Sequence, residues 1–288
     1  MRLLLLLFIC FVCFGTSAQE KEYVSAFKNK QLINAQTTVI PEGFDFTIMH
    51  RFGKVALDER LYKDFLGFDS PANIRFSLSY KLNDRSYIGV GRTKMGKTYD
   101  VEAKYVVLKQ TANNSMPISL AIFHNAGVNT EESPNYGPNA FFSDSITPFE
   151  AKFAHRLDYT TELIISRQFN DVLSLQISPT LVYKNLVIGL EEDHVTFALP
   201  FSGRIQYSFS SAILFEYAYK LNNRSDFRLD NPFSIGFEFG TAGHVFQLFM
   251  SNSYYLRESA IYTMEPYDLY ESPYEFILGF NIRRVWWF

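Results

Sequence analysis

The chain has 288 residues, of which 17% are aromatic and 20% charged, with a formal net charge of -3 and a mean hydropathy of -0.06. A net charge so close to zero argues against a nucleic-acid-binding protein, which needs a basic face. No stretch beyond residue 18 is apolar over the roughly 20 residues that a membrane-spanning helix requires. An alternation with a period of two, typical of strands, is therefore the pattern to test.

The first 18 residues predict a secretory signal peptide of the Sec type. Met1 and Arg2 precede the apolar run LLLLLFICFVCF, and the small residues GTSA follow it. A positive start, a short apolar run and small residues before the cleavage site are typical of such peptides. Cleavage near Ala18 removes Cys10 and Cys13, so the mature chain is predicted to have no disulfide, no thiol nucleophile and no cysteine-based metal site.

Residues 19–43, QEKEYVSAFKNKQLINAQTTVIPEG, precede the first predicted strand. Tyr23, Phe27 and Leu32 are spaced as on a short amphipathic helix. Two interpretations stay open, a segment that plugs the mouth of the domain that follows and a loosely ordered periplasmic lead-in. The predicted organisation is thus a signal peptide over 1–18, this segment over 19–43 and one domain over 44–288.

Residues 44–288 alternate repeatedly between apolar and polar side chains. In FDFTIMHRF, Phe44, Phe46 and Ile48 alternate with Asp45 and Thr47. Because successive side chains of a strand point to opposite faces, each such segment has one apolar and one polar face. The pattern predicts strands near 44–52, 73–82, 86–94, 99–109, 117–127, 149–168, 172–184, 195–209, 212–221, 233–241, 244–252 and 273–288.

The links between these segments alternate in length. Short polar turns such as NDR and FND alternate with longer links, including 53–72, 128–148, 222–232 and 253–272. This rhythm is typical of an outer-membrane barrel, with short periplasmic turns, longer outer loops and an even number of strands. The sequence predicts an all-β fold, an antiparallel up-and-down transmembrane barrel of about 12 strands with both barrel ends on the periplasmic side. A secreted β-sandwich also alternates and is the competing interpretation.

The chain ends in SPYEFILGFNIRRVWWF. Trp286 and Phe288 lie on one face of this last predicted strand, in an aromatic–x–aromatic ending that looks like the C-terminal insertion signal of outer-membrane barrels. The expected partners are therefore the outer-membrane lipid and the barrel assembly machinery.

The polar faces are predicted to line the lumen. Acidic and basic side chains nearly balance there, whereas a selective pore usually shows a ring of one sign. The charges either border a narrow water channel or pair into a network that fills the lumen, and the strand count does not decide between the two. The predicted lining residues are Arg75, Lys81, Asp100, Glu102, Lys104, Glu150, Lys152, Arg156, Asp158, Glu162, Arg204, Glu216, Lys220, Glu238 and Arg283.

Several runs of the sequence resemble a family of outer-membrane barrels of unknown function from Bacteroidota-type Gram-negative bacteria. They include FKNKQLINAQTTVIPEGFDFTIMHRFG at 27–53, SLQISPTLVYKNLV and the closing GFNIRRVWWF. One departure is Gly-Thr-Ala-Gly-His at 240–244, where the family has Glu-Thr-Gly-Gly-His. The resemblance covers almost the whole mature chain and implies the barrel fold and an outer-membrane location, but no activity.

No catalytic set is predicted from the sequence. His155 near Asp158 and His244 near Glu238 are the only candidates, and neither spacing brings a nucleophile and a base together. EEDH at 191–194 is interpreted as a solvated loop rather than a metal site. We therefore expect no enzyme, metal or cofactor.

The sequence favours a passive channel, or a binding and gating barrel, for small solutes. A structural or assembly-linked barrel with a filled lumen is the alternative, and a membrane-embedded hydrolase ranks third.

Overall fold

The computed structural model describes residues 22–132, 141–142, 146–187, 194–221, 231–264 and 275–286. These residues form a closed antiparallel barrel of 12 staves, where a stave is one position in the barrel wall, formed by one strand or by two strands in line. The strands are β1 Phe44–Ala56, β2 Asn73–Asn83, β3 Ser86–Thr93, β4 Thr98–Leu108, β5 Ser119–Val128, β6 Leu157–Gln168, β7 Leu173–Ile177, β8 Thr180–Lys184, β9 Val195–Gln206, β10 Ser211–Lys220, β11 Phe233–Thr241, β12 His244–Ser251 and β13 Glu275–Trp286.

Strands β7 and β8 are two halves of one stave. Both pair with β6 on one side and with β9 on the other. The ladder is interrupted at Ser178 and Pro179, because a proline has no N–H to donate. The predicted strand at 172–184 is therefore one stave with a break in it.

The barrel closes where the last strand meets the first. β13 pairs antiparallel with β1, with Phe44 opposite Trp286 and Ile48 opposite Ile282. A closed ring leaves no sheet edge, so every stave has a hydrogen-bonded neighbour on both sides.

The links fall into two groups at opposite ends of the barrel. At the short-turn end lie residues 84–85, 109–118, 169–172, 207–210 and 242–243, and the inner segment also enters here. The long-loop end carries two short helices, α1 Arg60–Lys63 and α2 Glu258–Thr263, and the 3-10 turns Phe65–Gly67, Met95–Lys97 and Phe153–Arg156. No helix in the described ranges has the length and hydropathy that a bilayer crossing requires.

The barrel wall has apolar side chains on its outer face and polar side chains on its inner face, the reverse of a soluble β-sandwich. Outward side chains are large and apolar, and many are exposed, as are Phe76, Val101, Phe237 and Leu248. Inward side chains are mostly polar or charged and buried. This arrangement excludes the sandwich, whose apolar face turns into a protein core.

One predicted strand was too long. β6 begins at Leu157, not at residue 149, and residues 149–156 run through a link and the 3-10 turn Phe153–Arg156. Apolar and polar residues alternate in this link too, but no neighbouring strand pairs with it. Glu150 and Lys152 are consequently exposed loop residues rather than strand residues, and Lys152 borders a cavity at the long-loop end.

Candidate functional site: a filled lumen

Residues 22–43, the inner segment, run from the mouth of the barrel into its interior, where residues 29–38 are all buried. The segment enters at the short-turn end, where the Val24 N–H donates to the Gln110 carbonyl at 2.9 Å. Phe27, Leu32 and Ile33 are almost completely buried and form an apolar cluster with Leu214 and Phe249 of the wall. The segment has no helix; its centre is instead a tight hairpin.

The hairpin spans residues 30–37. The Leu32 N–H donates to the Ala35 carbonyl and the Thr37 N–H to the Lys30 carbonyl, both at 2.9 Å. Gln31 and Gln36 form an antiparallel bridge between its two arms. Its tip therefore presents the backbone N–H groups of Asn34 and Ala35 to the wall.

Glu216 on β10 holds this tip. Its carboxylate accepts hydrogen bonds from the Asn34 N–H at 2.9 Å, the Ala35 N–H at 3.0 Å and the Asn34 side-chain amide at 2.9 Å. Arg51 on β1 donates to the Asn34 amide oxygen at 2.8 Å from the other side. These three hydrogen bonds satisfy both the buried carboxylate and the buried N–H donors of the tip. Without them, each group would have lost its hydrogen bonds to water with no replacement.

Ion pairs attach the arms of the hairpin to other staves. Lys30 lies 3.2 Å from Glu102 and 3.8 Å from Asp45. Asn29 donates to Glu238 at 2.7 Å, and Glu238 in turn pairs with Arg204 at 3.0 Å. The charges pair here as in the network that the sequence left as one of two alternatives, and the inner segment is part of it. For these residues the pairing offsets a cost of several kcal/mol for each unpaired buried charge.

The long-loop end of the lumen is filled by residues 252–264, which contain α2. Arg257 donates to Asp158 at 2.6 Å and to Asn125 at 2.9 Å. Asp100 accepts a bidentate pair of bonds from Arg75 and lies 3.7 Å from Arg257. Ile261 and Tyr262 pack on Val182, Ala198 and Ala218 of the wall.

The inner segment and α2 meet in the middle of the barrel. The Gln36 side-chain amide donates to Glu258 at 2.9 Å. Gln176 of β7 donates to the Gln36 carbonyl at 2.7 Å, so Gln36 connects the inner segment and α2 to the barrel wall as well as to each other. The lumen is closed here by side chains that are all buried.

Two cavities lie on either side of this closure. One, of about 1020 Å³, opens at the short-turn end and is lined by residues that include Lys28, Lys109 and Phe209. The other, of about 480 Å³, opens at the long-loop end beside His155, Tyr255 and Arg257. No residue lines both cavities.

The structure places the predicted lining residues in three environments. Buried and inward-facing are Arg75, Asp100, Glu102, Lys104, Glu162, Arg204, Glu216, Lys220, Glu238 and Arg283. Lys81 and Asp158 are half-buried near strand ends. Arg156 closes the 3-10 turn before β6, where it donates to the Asn129 and Glu131 carbonyls and lines the cavity at the long-loop end.

Several residues that hold the inner segment and residues 252–264 in the lumen were not among the predicted site residues, including Arg51, Lys30, Asn34 and Arg257. The inward direction of Arg51 was predictable, because alternation places it on the polar face of the first strand. Lys30, Asn34 and Arg257 lie in segments without strand alternation, and their partners are remote in sequence. Only the folded barrel brings them together.

The two histidine pairs considered for catalysis do not assemble. His155 stacks on Phe149, and its Nδ1 accepts from the Lys152 N–H, while Asp158 binds Arg257. His244 faces outward beside Arg284, whereas Glu238 points into the lumen. The two residues of each pair line the same cavity but have other partners, and no hydrogen bond joins them.

Of the two residues predicted as the C-terminal assembly signal, the structure describes only Trp286. Trp286 lies at the end of β13 on the outward face, where the Arg284 guanidinium sits 5.9 Å from its ring. Phe288 lies outside the described residues.

A known protein family matches most of the chain. Residues 27–286 match the model of the membrane-bound beta barrel domain DUF5777. The chain belongs to this family. The match confirms the membrane-barrel family indicated by the sequence.

Two solved structures share the fold. A KdgM porin in complex with disordered oligogalacturonate has a TM-score of 0.51 and 8% identity, over 84% of this chain and 99% of that one. A NanC porin has a TM-score of 0.51 and 8% identity, over 85% and 100%. At this identity the likeness concerns the fold alone. No curated protein matches the chain.

Proposed function

We propose that this protein is an exported outer-membrane barrel that binds small polar solutes in its mouths and passes them when the inner segment moves. The short-turn end is then periplasmic and the long-loop end faces outward. The observation that carries the proposal is the hairpin at residues 30–37, held across the lumen by Glu216 between two separate water-accessible cavities.

The way the hairpin is attached supports a gate. Its contacts with the wall are largely hydrogen bonds and ion pairs from side chains, including Arg51 to Asn34 and Lys30 to Glu102. Such contacts can be exchanged for water, unlike a continuous apolar core. The near balance of charge in the lumen favours polar solutes without strong selection by sign.

The alternative is a structural barrel whose lumen stays filled. The apolar cluster of Phe27, Leu32 and Ile33 with Leu214 and Phe249 favours it, because this contact resists water. In either case the proposal assigns no catalytic residue, metal or cofactor.

Conductance in planar bilayers tests the gate. Glu216→Gln removes the negative charge and one accepting oxygen from the hairpin tip with little change of shape. We expect open steps that are rare in the wild type to become at least about tenfold more frequent, the effect of weakening one charged hydrogen bond.

Glu59→Gln is the matched control. Glu59 is an exposed carboxylate in the loop between β1 and β2 that pairs with Lys63 and lines neither cavity. Its variant is expected to behave as wild type. Silence of the folded Glu216→Gln barrel would support the filled structural barrel instead.

A further inference from the structure

The loop between β1 and β2 forms an apolar lip at the long-loop end. We define the lip as residues 57–70, which contain α1 and the 3-10 turn Phe65–Gly67. Tyr62 is 72% exposed and Phe65 62% exposed, and Leu57, Leu66 and Phe68 are exposed as well. Nothing in the described part of the chain covers them.

The lip lies against the outside of the barrel, not over its lumen. The Phe68 ring packs edge-on against Phe52 at 4.2 Å. Phe52 in turn contacts His50 at 4.4 Å, and His50 stacks on Phe280 at 4.8 Å. Phe52, His50 and Phe280 belong to the outward face of β1 and β13, so the lip extends that face.

The backbone keeps the lip in this position at some conformational cost. Phe65, Leu66 and Gly67 have φ values of 42°, 58° and 78°, all in the left-handed region. Phenylalanine and leucine rarely adopt this region, and such strain persists where the surrounding structure enforces it. A Cβ on Gly67 would lie 2.5 Å from the Gly53 carbonyl oxygen, so the turn fits closely on the bulge of β1.

The cations of the lip already have carboxylate partners. Arg60 pairs with Asp58 at 2.6 Å and with Glu275 at 3.2 Å. Lys63 pairs with Glu59 at 2.9 Å, and Lys54 at the base of the lip pairs with Glu275. Because these cations are already paired, they contribute little attraction to lipid phosphates.

We propose that the lip is a lipid-binding element whose apolar side chains insert into the headgroup–acyl boundary of the leaflet at the long-loop end. The occupant is lipid because the lip is continuous with the lipid-facing wall of a membrane-bound barrel. Aromatic side chains at this depth are typical of membrane interfaces. The inference rests on the family and the fold, and is independent of any transport activity.

Spin labelling in phosphatidylcholine vesicles tests it, because the mature chain is predicted to lack cysteine. Phe65→Cys and Tyr62→Cys, each labelled with a nitroxide, report on the lip. Leu248→Cys on the outward face of β12 is the lipid reference, and Thr130→Cys in another loop of the same end is the water reference.

Both lip labels are expected to collide with oxygen more than with a soluble nickel complex, as at Leu248 and opposite to Thr130. The same ratio is expected in vesicles that contain phosphatidylglycerol, because the contact is apolar. Ratios like that of Thr130 at both lip positions would overturn the proposal. So would low collision with both reagents together with spin–spin broadening that unlabelled protein dilutes, since that pattern means a second copy covers the lip.

Discussion

At the scale of single residues, Glu216 decides how the inner segment sits. Alternation predicted that Glu216 faces inward, since it lies between Phe215 and Tyr217 on the polar side of its strand. What it binds was not predictable, because the Asn34 and Ala35 N–H groups lie 182 and 181 residues away in sequence. Single-strand periodicity gives the direction of a side chain but not its partner.

Glu216→Gln is expected to accelerate amide exchange in the hairpin. The glutamine keeps one accepting oxygen, so at least one N–H of Asn34 or Ala35 loses its charged acceptor. A hydrogen bond to a charged group contributes about 1.5–3 kcal/mol, which corresponds to roughly 10- to 100-fold faster exchange. Exchange mass spectrometry of the peptide that contains residues 30–37 measures this, and unchanged protection would show that Glu216 is not what holds the tip.

At the scale of elements, the strands were predictable and the filling was not. Each stave has an apolar outward side and a polar inward side, which leaves a period of two in the sequence. The same rule failed at residues 149–156, where alternation occurs in a link that has no neighbouring strand. The inner segment and α2 lack this alternation, because their sides meet different staves of the barrel interior, and the helical spacing of Tyr23, Phe27 and Leu32 predicted a helix where the structure has a hairpin.

The docking of α2 is expected to depend on pH through Glu258. Burial raises the pKa of the Glu258 carboxyl above its ordinary value, against the opposing effects of Arg75 and of the Gln36 hydrogen bond. A raised carboxyl pKa means that docking favours the protonated form. The stabilisation is complete below the unfolded pKa of about 4.3 and is lost as pH rises through the higher folded value.

A nitroxide at Met264→Cys, at the end of α2, reports this docking. Its immobile fraction is expected to increase as pH falls, because protonation of Glu258 favours the docked helix. Glu258→Gln should remove the dependence. Glu102 and Glu162 also interact with this carboxyl, so a pH dependence that survives Glu258→Gln but disappears in Glu162→Gln would assign the titration to the neighbour and refute the prediction.

At the scale of the whole molecule, the barrel and its number of staves could be read from the sequence, but the state of its lumen could not. A barrel of this size lies between those filled by side chains and those with an aqueous channel. The balance of inward charge was visible, whereas its pairing through Lys30, Arg51 and Arg257 depends on two segments that enter the barrel from opposite ends. The central claim is therefore that the inner segment closes the lumen and can release it.

Bilayer conductance of a reversibly locked inner segment tests this claim most directly. The Thr38 and Ser166 hydroxyl oxygens lie 2.7 Å apart, between the inner segment and β6, so Thr38→Cys with Ser166→Cys positions two thiols for a disulfide. In the Glu216→Gln background the oxidised protein is expected to be silent, and the reduced protein to show open steps. Equal currents in the two states, or silence in both, would contradict the account.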